Sequence, residues 1–279
     1  MLTITQIKQL MREYGVRPNK RLGQDFIIDK NIADKIIKAA GIENNDVVLE
    51  IGAGFGNITK ELAHIAKKVI AVEVDKGLFN ILKKTLEGYE NIELVHQDIL
   101  KFDFGPYAQK EKLRIIGNIP YCITTPILEH IIDNKAYIKD ALLMMQKEVA
   151  ERIVAKSPNK AYSPITCYIQ YYTKPEFKTV VKRTSFFPMP DVDSALIYLK
   201  VLTKPSVAVN NEGLFFKIIR TAFGQRRKML LSSLSAKNQL GIEKGRFKEI
   251  LLRAGVAPER RPESLTLEEF ARIANELPG

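Results

Sequence analysis

A short apolar run followed by three closely spaced glycines is the feature of this sequence that most restricts its fold. The run is Val47-Val48-Leu49-Glu50-Ile51, and Gly52-Ala53-Gly54-Phe55-Gly56 follows it directly. Residues 57–66 then have the apolar spacing of a helix. A strand that turns through glycines into a helix is typical of the start of a βαβ unit, so we expect a mostly parallel sheet.

The alternation of strands and helices continues along most of the chain. Further strands are predicted over 69–72, 92–95, 113–116, 141–145 and 194–201, and further helices over 3–14, 29–41 and 76–86. Beyond a linker at Lys204-Pro205-Ser206 the pattern is helical only, over 212–234, 244–254 and 267–277. The sequence therefore predicts an α/β Rossmann-like domain over residues 1–206 and a small all-helical C-terminal domain over residues 207–279.

Positive charge is concentrated at the two ends of the chain. The 279 residues include 43 Lys and Arg against 32 Asp and Glu, a formal charge of +11. Residues 1–24 hold five basic residues and one acidic residue, and residues 207–279 hold thirteen and eight, whereas the residues between them are nearly neutral. Two explanations are open: a polyanion bound on both sides of a central site, or an ordinary solvated lysine surface.

Composition excludes several classes of protein. A hydrophobic content of 46% is that of a globular protein rather than a disordered chain. No run of about 18 apolar residues occurs, and the N-terminus lacks the pattern of a signal peptide, so we expect a cytoplasmic protein. The only cysteines, Cys122 and Cys167, cannot form a zinc site alone and are not expected to pair. The three histidines lie at no metal-ligand spacing, and we expect no metal.

The glycine turn is the first candidate for ligand binding. Open parallel sheets bind ligands at the carboxyl ends of their strands, beside the first strand-to-helix turn. Gly52, Gly54 and Gly56 permit close approach of the backbone to a ligand, and the next helix presents free N–H groups there. Asn57 stands where the dinucleotide pattern G-x-G-x-x-G needs its third glycine. A nucleotide-like ligand is favoured, and a tight turn without a ligand is the alternative.

Two acidic residues end the next two strands. Glu73 can accept hydrogen bonds from both hydroxyls of a ribose, although a helix N-cap is its structural alternative. Asp98 can accept a hydrogen bond from an adenine amino group, while Ile99 packs on the ring. Glycines and two acids on three consecutive strand ends suit an adenosine cofactor without a pyrophosphate. S-adenosylmethionine fits this set better than NAD.

The fourth strand ends in Asn118-Ile119-Pro120-Tyr121, which is the most specific motif in the chain. Methylation of an exocyclic amine requires acceptors that hold its N–H groups, because the nitrogen lone pair is delocalised into the ring. The Asn118 side-chain oxygen and the Ile119 carbonyl before a proline supply two acceptors. Tyr121 gives an extruded base a face on which to stack. The alternative is a strand-ending turn with a buried tyrosine.

The tetrapeptide resembles the N-(I/L)-P-(Y/F) motif of the rRNA adenine N6-methyltransferases. Further stretches are similar to one branch, the bacterial small-subunit rRNA adenine dimethyltransferases. These stretches are Arg21-Leu22-Gly23-Gln24-Asp25-Phe26-Ile27-Ile28-Asp29, Gln146-Lys147-Glu148-Val149-Ala150, Phe186-Phe187-Pro188-Met189-Pro190-Asp191-Val192-Asp193-Ser194-Ala195 and Phe223-Gly224-Gln225-Arg226-Arg227-Lys228. Five motifs in one order, from about Ile7 to Phe270, make chance agreement implausible.

The resemblance implies conversion of two adjacent adenosines near the 3′ end of small-subunit (16S) rRNA to N6,N6-dimethyladenosine. The implied partner is that rRNA within a pre-30S particle; we expect a monomer with no membrane contact. Asn118 and the Ile119 carbonyl orient the amine, and Tyr121 and Phe186 stack on the base. The resemblance and the strand ends together predict an S-adenosylmethionine site at Gln24, Asp25, Ile27, Gly52, Gly54, Glu73, Val74, Asp98, Ile99 and Asn118. Asp25 departs from the family, which usually has Asn there.

RNA-binding residues are predicted in both basic ends. In the N-terminal arm they are Arg17, Lys20 and Arg21, and in the C-terminal domain they are Arg226, Arg227 and Lys228. The latter three are predicted to lie on a helix, where successive side chains point about 100° apart. They cannot all follow one strip of phosphates, so we expect at least two of them to contact the rRNA backbone.

Three alternative functions stay open. A large-subunit rRNA methyltransferase shares the tetrapeptide but not the stretch from Phe223 to Lys228. A non-catalytic ribosome-assembly or transcription factor could be built on the same fold. A cytosine C5-methyltransferase with Cys122 or Cys167 as nucleophile would not need the acceptors of the tetrapeptide.

Overall fold

A seven-stranded sheet forms the centre of the first of two units in the computed structural model. The structure describes residues 1–19, 22–225, 227–236 and 240–277. The first unit comprises Met1–Ala150 and Pro175–Val201, and the second comprises Glu151–Lys174 and Leu202–Gly279.

Nine strands are found in the described residues. They are β1 (Phe26–Ile27), β2 (Val47–Ile51), β3 (Lys68–Glu73), β4 (Ile92–His96), β5 (Leu113–Asn118), β6 (Ile138–Gln146), β7 (Thr173–Val181), β8 (Phe186–Phe187) and β9 (Ser194–Val201). The strands of the large sheet follow the order β4-β3-β2-β5-β6-β9-β7. The five strands from β4 to β6 are parallel, and β9 is antiparallel to β6. A separate two-stranded sheet pairs β1 with β8 in antiparallel register.

Helices join the parallel strands and form the second unit. The helices that begin in the first unit are α1 (Ile4–Glu13), α2 (Lys30–Ala40), α3 (Asn57–Ala63), α4 (Lys76–Thr85), α5 (Thr124–Asp133) and α6 (Lys147–Val154). Those of the second unit are α7 (Pro164–Tyr172), α8 (Glu212–Phe223), α9 (Leu230–Leu234), α10 (Lys244–Arg253) and α11 (Leu267–Asn275).

Local sequence explains where these elements begin and end. The central strands are apolar because a parallel sheet is covered on both faces, and Val48 and Leu49 in β2 are fully buried. The Asp29 side chain accepts a hydrogen bond from the Asn31 N–H and caps α2, which ends at Gly41 with φ of 54°. The fold class and the predicted strands are confirmed, while β1, β7 and β8 were not predicted.

The division into two units differs from the predicted boundary at residue 207. The second unit also includes Glu151–Lys174, which lies within the predicted first domain. Its helix α7 belongs there because the rings of Tyr171 and Tyr172 pack on those of Phe215 and Phe216 of α8. A chain segment that joins a later unit cannot be recognised from a contiguous pattern of apolar residues.

The predicted helix over 212–234 is wrong in its second half. Helix α8 ends at Phe223, and α9 begins only at Leu230. Gly224 follows α8, and a turn in which the Lys228 N–H donates to the Gln225 carbonyl (2.8 Å) separates the two helices. Glycine weakens a helix, which accounts for the break. The prediction about Arg226, Arg227 and Lys228 therefore fails in its geometry: the two described residues lie in this turn.

Within the described part of the chain, no helix is both long enough and apolar enough to cross a bilayer. The same residues contain no group of three or more His, Cys, Asp or Glu side chains arranged to hold a metal ion.

Candidate active site

The glycine turn after β2 has the backbone conformation that its sequence predicts. Gly52, Gly54 and Gly56 have φ of 71°, 59° and 79°, a region that residues with a Cβ rarely adopt. A Cβ on Gly54 would lie 3.0 Å from the Phe26 ring, whereas a Cβ on Gly52 would lie 3.8 Å from the Asn118 carbonyl oxygen. Glycine at position 54 therefore lets the turn pass close to β1.

Glu73 ends β3 directly beside this turn. One carboxylate oxygen accepts a hydrogen bond from the Gly54 N–H (3.0 Å), and the other accepts one from the Asp75 N–H (2.9 Å). The side chain is buried, and burial raises its pKa. The helix N-cap that the sequence left as an alternative for Glu73 is Asp75, whose carboxylate accepts from the Leu78 N–H. Glu73 instead ties the glycine turn to β3.

Asp98 lies after β4, on the wall of an apolar slot. One of its oxygens accepts a hydrogen bond from the Leu100 N–H (3.0 Å), which caps a short 3-10 helix. The slot has a volume of about 340 Å³, and Asp98 and Gln97 supply its polar side chains. Ile99 and the exposed Val74 also line it. A mainly apolar slot with a carboxylate in its lining suits a purine ring that bears an amino group.

Asn118 is the last residue of β5 and is fixed through its amide nitrogen. The Asn118 Nδ2 donates to the Asp25 carbonyl (2.6 Å), and the Ile119 N–H donates to the Met144 carbonyl of β6 (3.0 Å). The Asn118 Oδ1 accepts no hydrogen bond from the described part of the protein. The structure therefore holds the side chain in place and leaves an acceptor available.

Tyr121 is held by its hydroxyl group. The Tyr121 hydroxyl and the Ser194 Oγ are 2.7 Å apart, and Ser194, the first residue of β9, is fully buried. Burial is the main cause that raises the pKa of Tyr121, with the charges of Asp25 and Asp193 adding to it. These contacts keep the Tyr121 side chain protonated and fix its ring at the hydroxyl end. Sequence reasoning did not identify Ser194 as part of this site.

Phe186 lies in the core of the first unit. Only 2% of this residue is exposed, and it belongs to the cluster that includes Ile27, Met144 and Leu196. Its neighbour Phe187 is partly exposed and packs against a different cluster of apolar residues, which includes Ile7 and Phe55. Stacking of Phe186 on a base stays a prediction. For such stacking, one face of the ring would have to become accessible, and in this structure the core covers both faces.

Residues 24–27, which include β1, contribute to the site mainly through backbone atoms. The Asp25 carbonyl accepts the hydrogen bond from Asn118, and the Gln24 Nε2 donates to the Asp75 carboxylate (3.1 Å). The buried Ile27 lies on the wall of a cavity that also contacts Gly52 and Asn118. The replacement of the family's usual asparagine by Asp25 leaves this backbone contact unaffected.

Glu50 lines the cavity beside Gly52 and Asn118, although its place there is not predicted from the sequence. It is buried within β2, and its Oε2 has no hydrogen-bond partner among the described residues. Burial, with a smaller effect from Glu73, raises the pKa of Glu50 to about 8. The signal for Glu50 in the sequence is an acidic residue inside an otherwise apolar strand. Burying such a group costs free energy, and groups of this kind are concentrated at functional sites.

Three adjoining cavities meet at Gly52. The first, of about 550 Å³, is lined by Glu50, Asn118 and apolar core residues. The second, of about 410 Å³, lies over Glu73 and the segment 22–26. The third is the slot at Asp98. The structure thus brings the predicted cofactor residues together around one glycine, with a different carboxylate on the wall of each cavity.

The predicted RNA-binding residues are only partly described. Arg17, Arg227 and Lys228 are exposed. Lys20, Arg21 and Arg226 lie outside the described residues.

The two cysteines were the candidate nucleophiles of the cytosine alternative. Cys122 is exposed and Cys167 is buried, and burial raises the pKa of the Cys167 thiol to about 12.

Fold and site together define a Rossmann-like methyltransferase. The sequence profile described as "Ribosomal RNA adenine dimethylase" matches residues 15–278. The chain therefore belongs to the ribosomal RNA adenine dimethylase family, and it is an enzyme of the methyltransferase class. It is 41% identical to the "Ribosomal RNA small subunit methyltransferase A" of Bacillus pumilus, over 99% of this chain and 96% of that protein.

Two solved structures are similar over most of the chain. A dimethyladenosine transferase from Plasmodium falciparum superposes with a TM-score of 0.78 at 30% identity, over 89% of this chain and 95% of that one. The 23S rRNA methyltransferase ErmE superposes with a TM-score of 0.72 at 27% identity, over 90% and 99% of the two chains.

Proposed function

We propose that this protein transfers methyl groups from S-adenosylmethionine to the N6 amines of two adjacent adenosines near the 3′ end of small-subunit rRNA. The substrate is the rRNA within a small-subunit precursor, in the cytoplasm, and the enzyme acts as a monomer. The name of the Bacillus pumilus relative supports the small-subunit substrate. The observation that carries the chemistry is Asn118, whose amide nitrogen is bound to the Asp25 carbonyl while its oxygen stays available as an acceptor.

The three cavities around Gly52 fit the parts of this cofactor by their chemistry. The Glu50 Oε2, which has no hydrogen-bond partner among the described residues, suits the ammonium group of the methionine moiety. Glu73 has further acceptor capacity for ribose hydroxyls, since each carboxylate oxygen has two lone pairs. Asp98, beside Ile99 and Val74, suits the adenine amino group. When bound, the cofactor supplies an electrophilic methyl group on a sulfonium.

The residues of the tetrapeptide hold the other reactant. The Asn118 Oδ1 and the Ile119 carbonyl accept the two N–H groups of the adenine amine, which directs the nitrogen lone pair out of conjugation with the ring. Tyr121 offers its ring as a stacking face, at about 1–3 kcal/mol for one base, and we retain Phe186 as the second face. Methyl transfer leaves a positive charge on the amine nitrogen. This cation is strongly acidic and releases its proton to water to give the neutral methylated amine, so no strong base is needed.

Labelled methyl transfer tests this function. Small subunits, large subunits and naked rRNA are incubated with the protein and methyl-labelled S-adenosylmethionine, and modified adenosines are mapped by reverse-transcription stops. We expect label on two adjacent adenosines of the small-subunit rRNA. Asn118→Ala should lower the rate at least about 100-fold, as loss of a positioned polar group does in other active sites. The exposed Asn45→Ala is the matched control and should keep the rate of the wild type.

The similarity to a 23S rRNA methyltransferase supplies one alternative. Label on large subunits alone would favour that alternative. Absence of label from every RNA, with Asn118→Ala equal to the wild type, would favour a non-catalytic assembly or transcription factor. Either result would overturn the proposal.

A further inference from the structure

A cleft lined by three cations lies between helix α1 and the chain that follows it. Its walls consist of Lys8, Met11, Arg12 and the segment Gly15–Pro18 with Arg17, and it has a volume of about 830 Å³. We call it the basic cleft. It lies wholly within the first unit, and no residue of the proposed catalytic or cofactor site lines it.

The turn at Gly15 creates the cleft. Gly15 has φ of 63°, its N–H donates to the Arg12 carbonyl (3.3 Å), and the Val16 N–H donates to the Met11 carbonyl (2.8 Å). These two bonds form a Schellman motif, which ends a helix and reverses the chain. The reversal brings Arg17 beside the last turns of α1.

Ion pairing among the described residues does not account for the three cations of the basic cleft. Lys8, Arg12 and Arg17 are exposed and form no ion pair with any residue that the structure describes. Lys8 and Arg12 lie four residues apart on one helix face, where like charges oppose helix formation by about 0.2–0.5 kcal/mol. The Lys8 Nζ is 5.4 Å from the centre of the Phe187 ring. Three positive charges thus lie together without an acidic partner in the part of the chain that the structure describes.

The basic cleft has a fixed position next to the cofactor cavities. Ile7 and Met11 of α1 are buried against Phe55 and α4. A Cβ on Gly77, in the first turn of α4, would lie 2.5 Å from the Val16 side chain. That first turn begins just after Glu73, so the wall of the cleft rests on the same strand end as the cofactor site.

We propose that the basic cleft binds the sugar-phosphate backbone of the substrate RNA next to the nucleotide that enters the active site. This inference rests on the proposed function and adds Lys8 and Arg12 to its RNA-binding surface. Guanidinium groups bind phosphate in bidentate fashion, and an ammonium binds it as a point charge. Such contacts set the position of the RNA without reading its sequence.

Salt-dependent binding tests the basic cleft. Lys8→Gln, Arg12→Gln, Arg17→Gln and the triple variant are compared with the wild type in binding to small subunits between 50 and 200 mM salt. Each lost phosphate contact should reduce the slope of log K against log salt by about 0.7–0.9. Over this range the ratio of wild-type to triple-variant affinity should therefore fall about 20- to 40-fold.

Lys84→Gln is the matched control, because Lys84 is exposed in the last turn of α4 and forms no ion pair among the described residues. An unchanged slope in the triple variant, or an equal change in Lys84→Gln, would overturn the proposal. So would competition by polyglutamate as strong as that by RNA of equal charge, since it would indicate an acidic protein as the occupant.

Methyl transfer by the wild type separates this proposal from the proposed function. Labelled adenosines with an unchanged slope in the triple variant refute only the basic cleft. A reduced slope with no label on any adenosine supports the cleft as a site for RNA backbone and refutes the methylation.

Discussion

At the scale of single residues, Ser194 determines where the Tyr121 ring lies. The hydroxyl groups of the two residues are 2.7 Å apart, and Ser194 is fully buried at the start of β9. We predict that Ser194→Ala and Tyr121→Phe each lower kcat of methyl transfer about 2- to 10-fold, the effect of losing one hydrogen bond. The KM for small subunits and the affinity for the cofactor should change little, because other residues make those contacts.

A double-mutant cycle checks this prediction. If the two residues act through one hydrogen bond, the double variant should be no slower than either single variant. Tyr121→Ala is the comparison, since it removes the ring as well and should cost much more. Effects on kcat that multiply in the double variant would show that Ser194 acts independently of Tyr121.

Glu50 makes stability depend on pH. Burial raises the pKa of Glu50 from 4.5 to about 8, so the folded protein binds a proton that the unfolded chain releases between these pH values. The free energy of unfolding should therefore fall as pH rises from about 4.5 to 8. We predict that Glu50→Gln lacks this contribution, and that its stability relative to the wild type is greater at pH 8 than at pH 5.

Urea unfolding at the two pH values, without cofactor, measures the effect. Glu87→Gln is the control, because Glu87 is exposed in the loop after α4. Glu73 is also buried with a raised pKa and keeps part of the slope in both proteins. A Glu50→Gln variant whose advantage over the wild type is the same at both pH values would contradict the prediction.

Residues at strand ends could be predicted from the sequence, and residues within strands could not. Asn118, Glu73 and Asp98 each follow an apolar run, and parallel strands bring such positions to one edge of the sheet. Glu50 lies inside an apolar run, where nothing in the pattern shows which neighbour it meets. Ser194 was visible as a strand start, but its partner Tyr121 is far away in sequence.

At the scale of secondary structure elements, a buried arginine joins the ends of four of them. The Arg114 guanidinium of β5 donates to the carboxylates of Asp46 and Asp140 and to the carbonyls of Ala40 and Gly41. The side chains of Arg114, Asp46 and Asp140 are 7%, 11% and 6% exposed. We predict that Arg114→Met destabilises the protein by about 3–5 kcal/mol. The change leaves the buried Asp140 without its counter-charge, and it leaves Asp46 with only the half-exposed Lys139, whose Nζ lies 3.4 Å from the Asp46 carboxylate.

Urea unfolding at neutral pH checks this value. The control is Lys67→Met, which removes the ion pair with Glu111 between two side chains that are 55% and 44% exposed. That change should cost no more than about 1 kcal/mol. Similar losses in the two variants would show that the Arg114 network adds nothing beyond a surface ion pair.

The elements that were missed are those without a local pattern. Strands β1 and β8 have two residues each, and Phe26 pairs with Phe187 across most of the first unit's sequence. Two residues cannot display the alternation that identifies a strand. The helix predicted through Arg226 failed for the opposite reason: its apolar spacing continues past Gly224, although the helix does not.

At the scale of the whole molecule, the sequence shows that positive charge is concentrated at the two ends of the chain, but it does not show which basic side chains lie together in the fold. The basic N-terminal arm includes the three cations of the basic cleft, two of which, Lys8 and Arg12, were counted in the arm without being singled out. The reversal at Gly15 is what brings Arg17 to them, and a net charge cannot show such a turn. The second unit shows the same limit, because its first part is a segment far from its other helices in sequence.

This discontinuous second unit leads to a prediction about truncation. A fragment of residues 1–206 keeps helix α7 but loses α8, against which Tyr171 and Tyr172 pack. Both tyrosines are almost fully buried in the intact protein. The fragment should therefore expose an apolar aromatic surface, bind a hydrophobic dye and aggregate.

A matched fragment separates this cause from a general need for the C-terminal part. In this second fragment of residues 1–206, a flexible Gly/Ser linker replaces residues 151–174. The fragment therefore also lacks α7, the helix that the simple truncation leaves uncovered. We expect this fragment to stay monomeric in size-exclusion chromatography and to bind less dye than the simple truncation, because the first unit has its own core of sheet and helices. If the two fragments aggregate equally, the packing of α7 on α8 is not what the truncation disturbs.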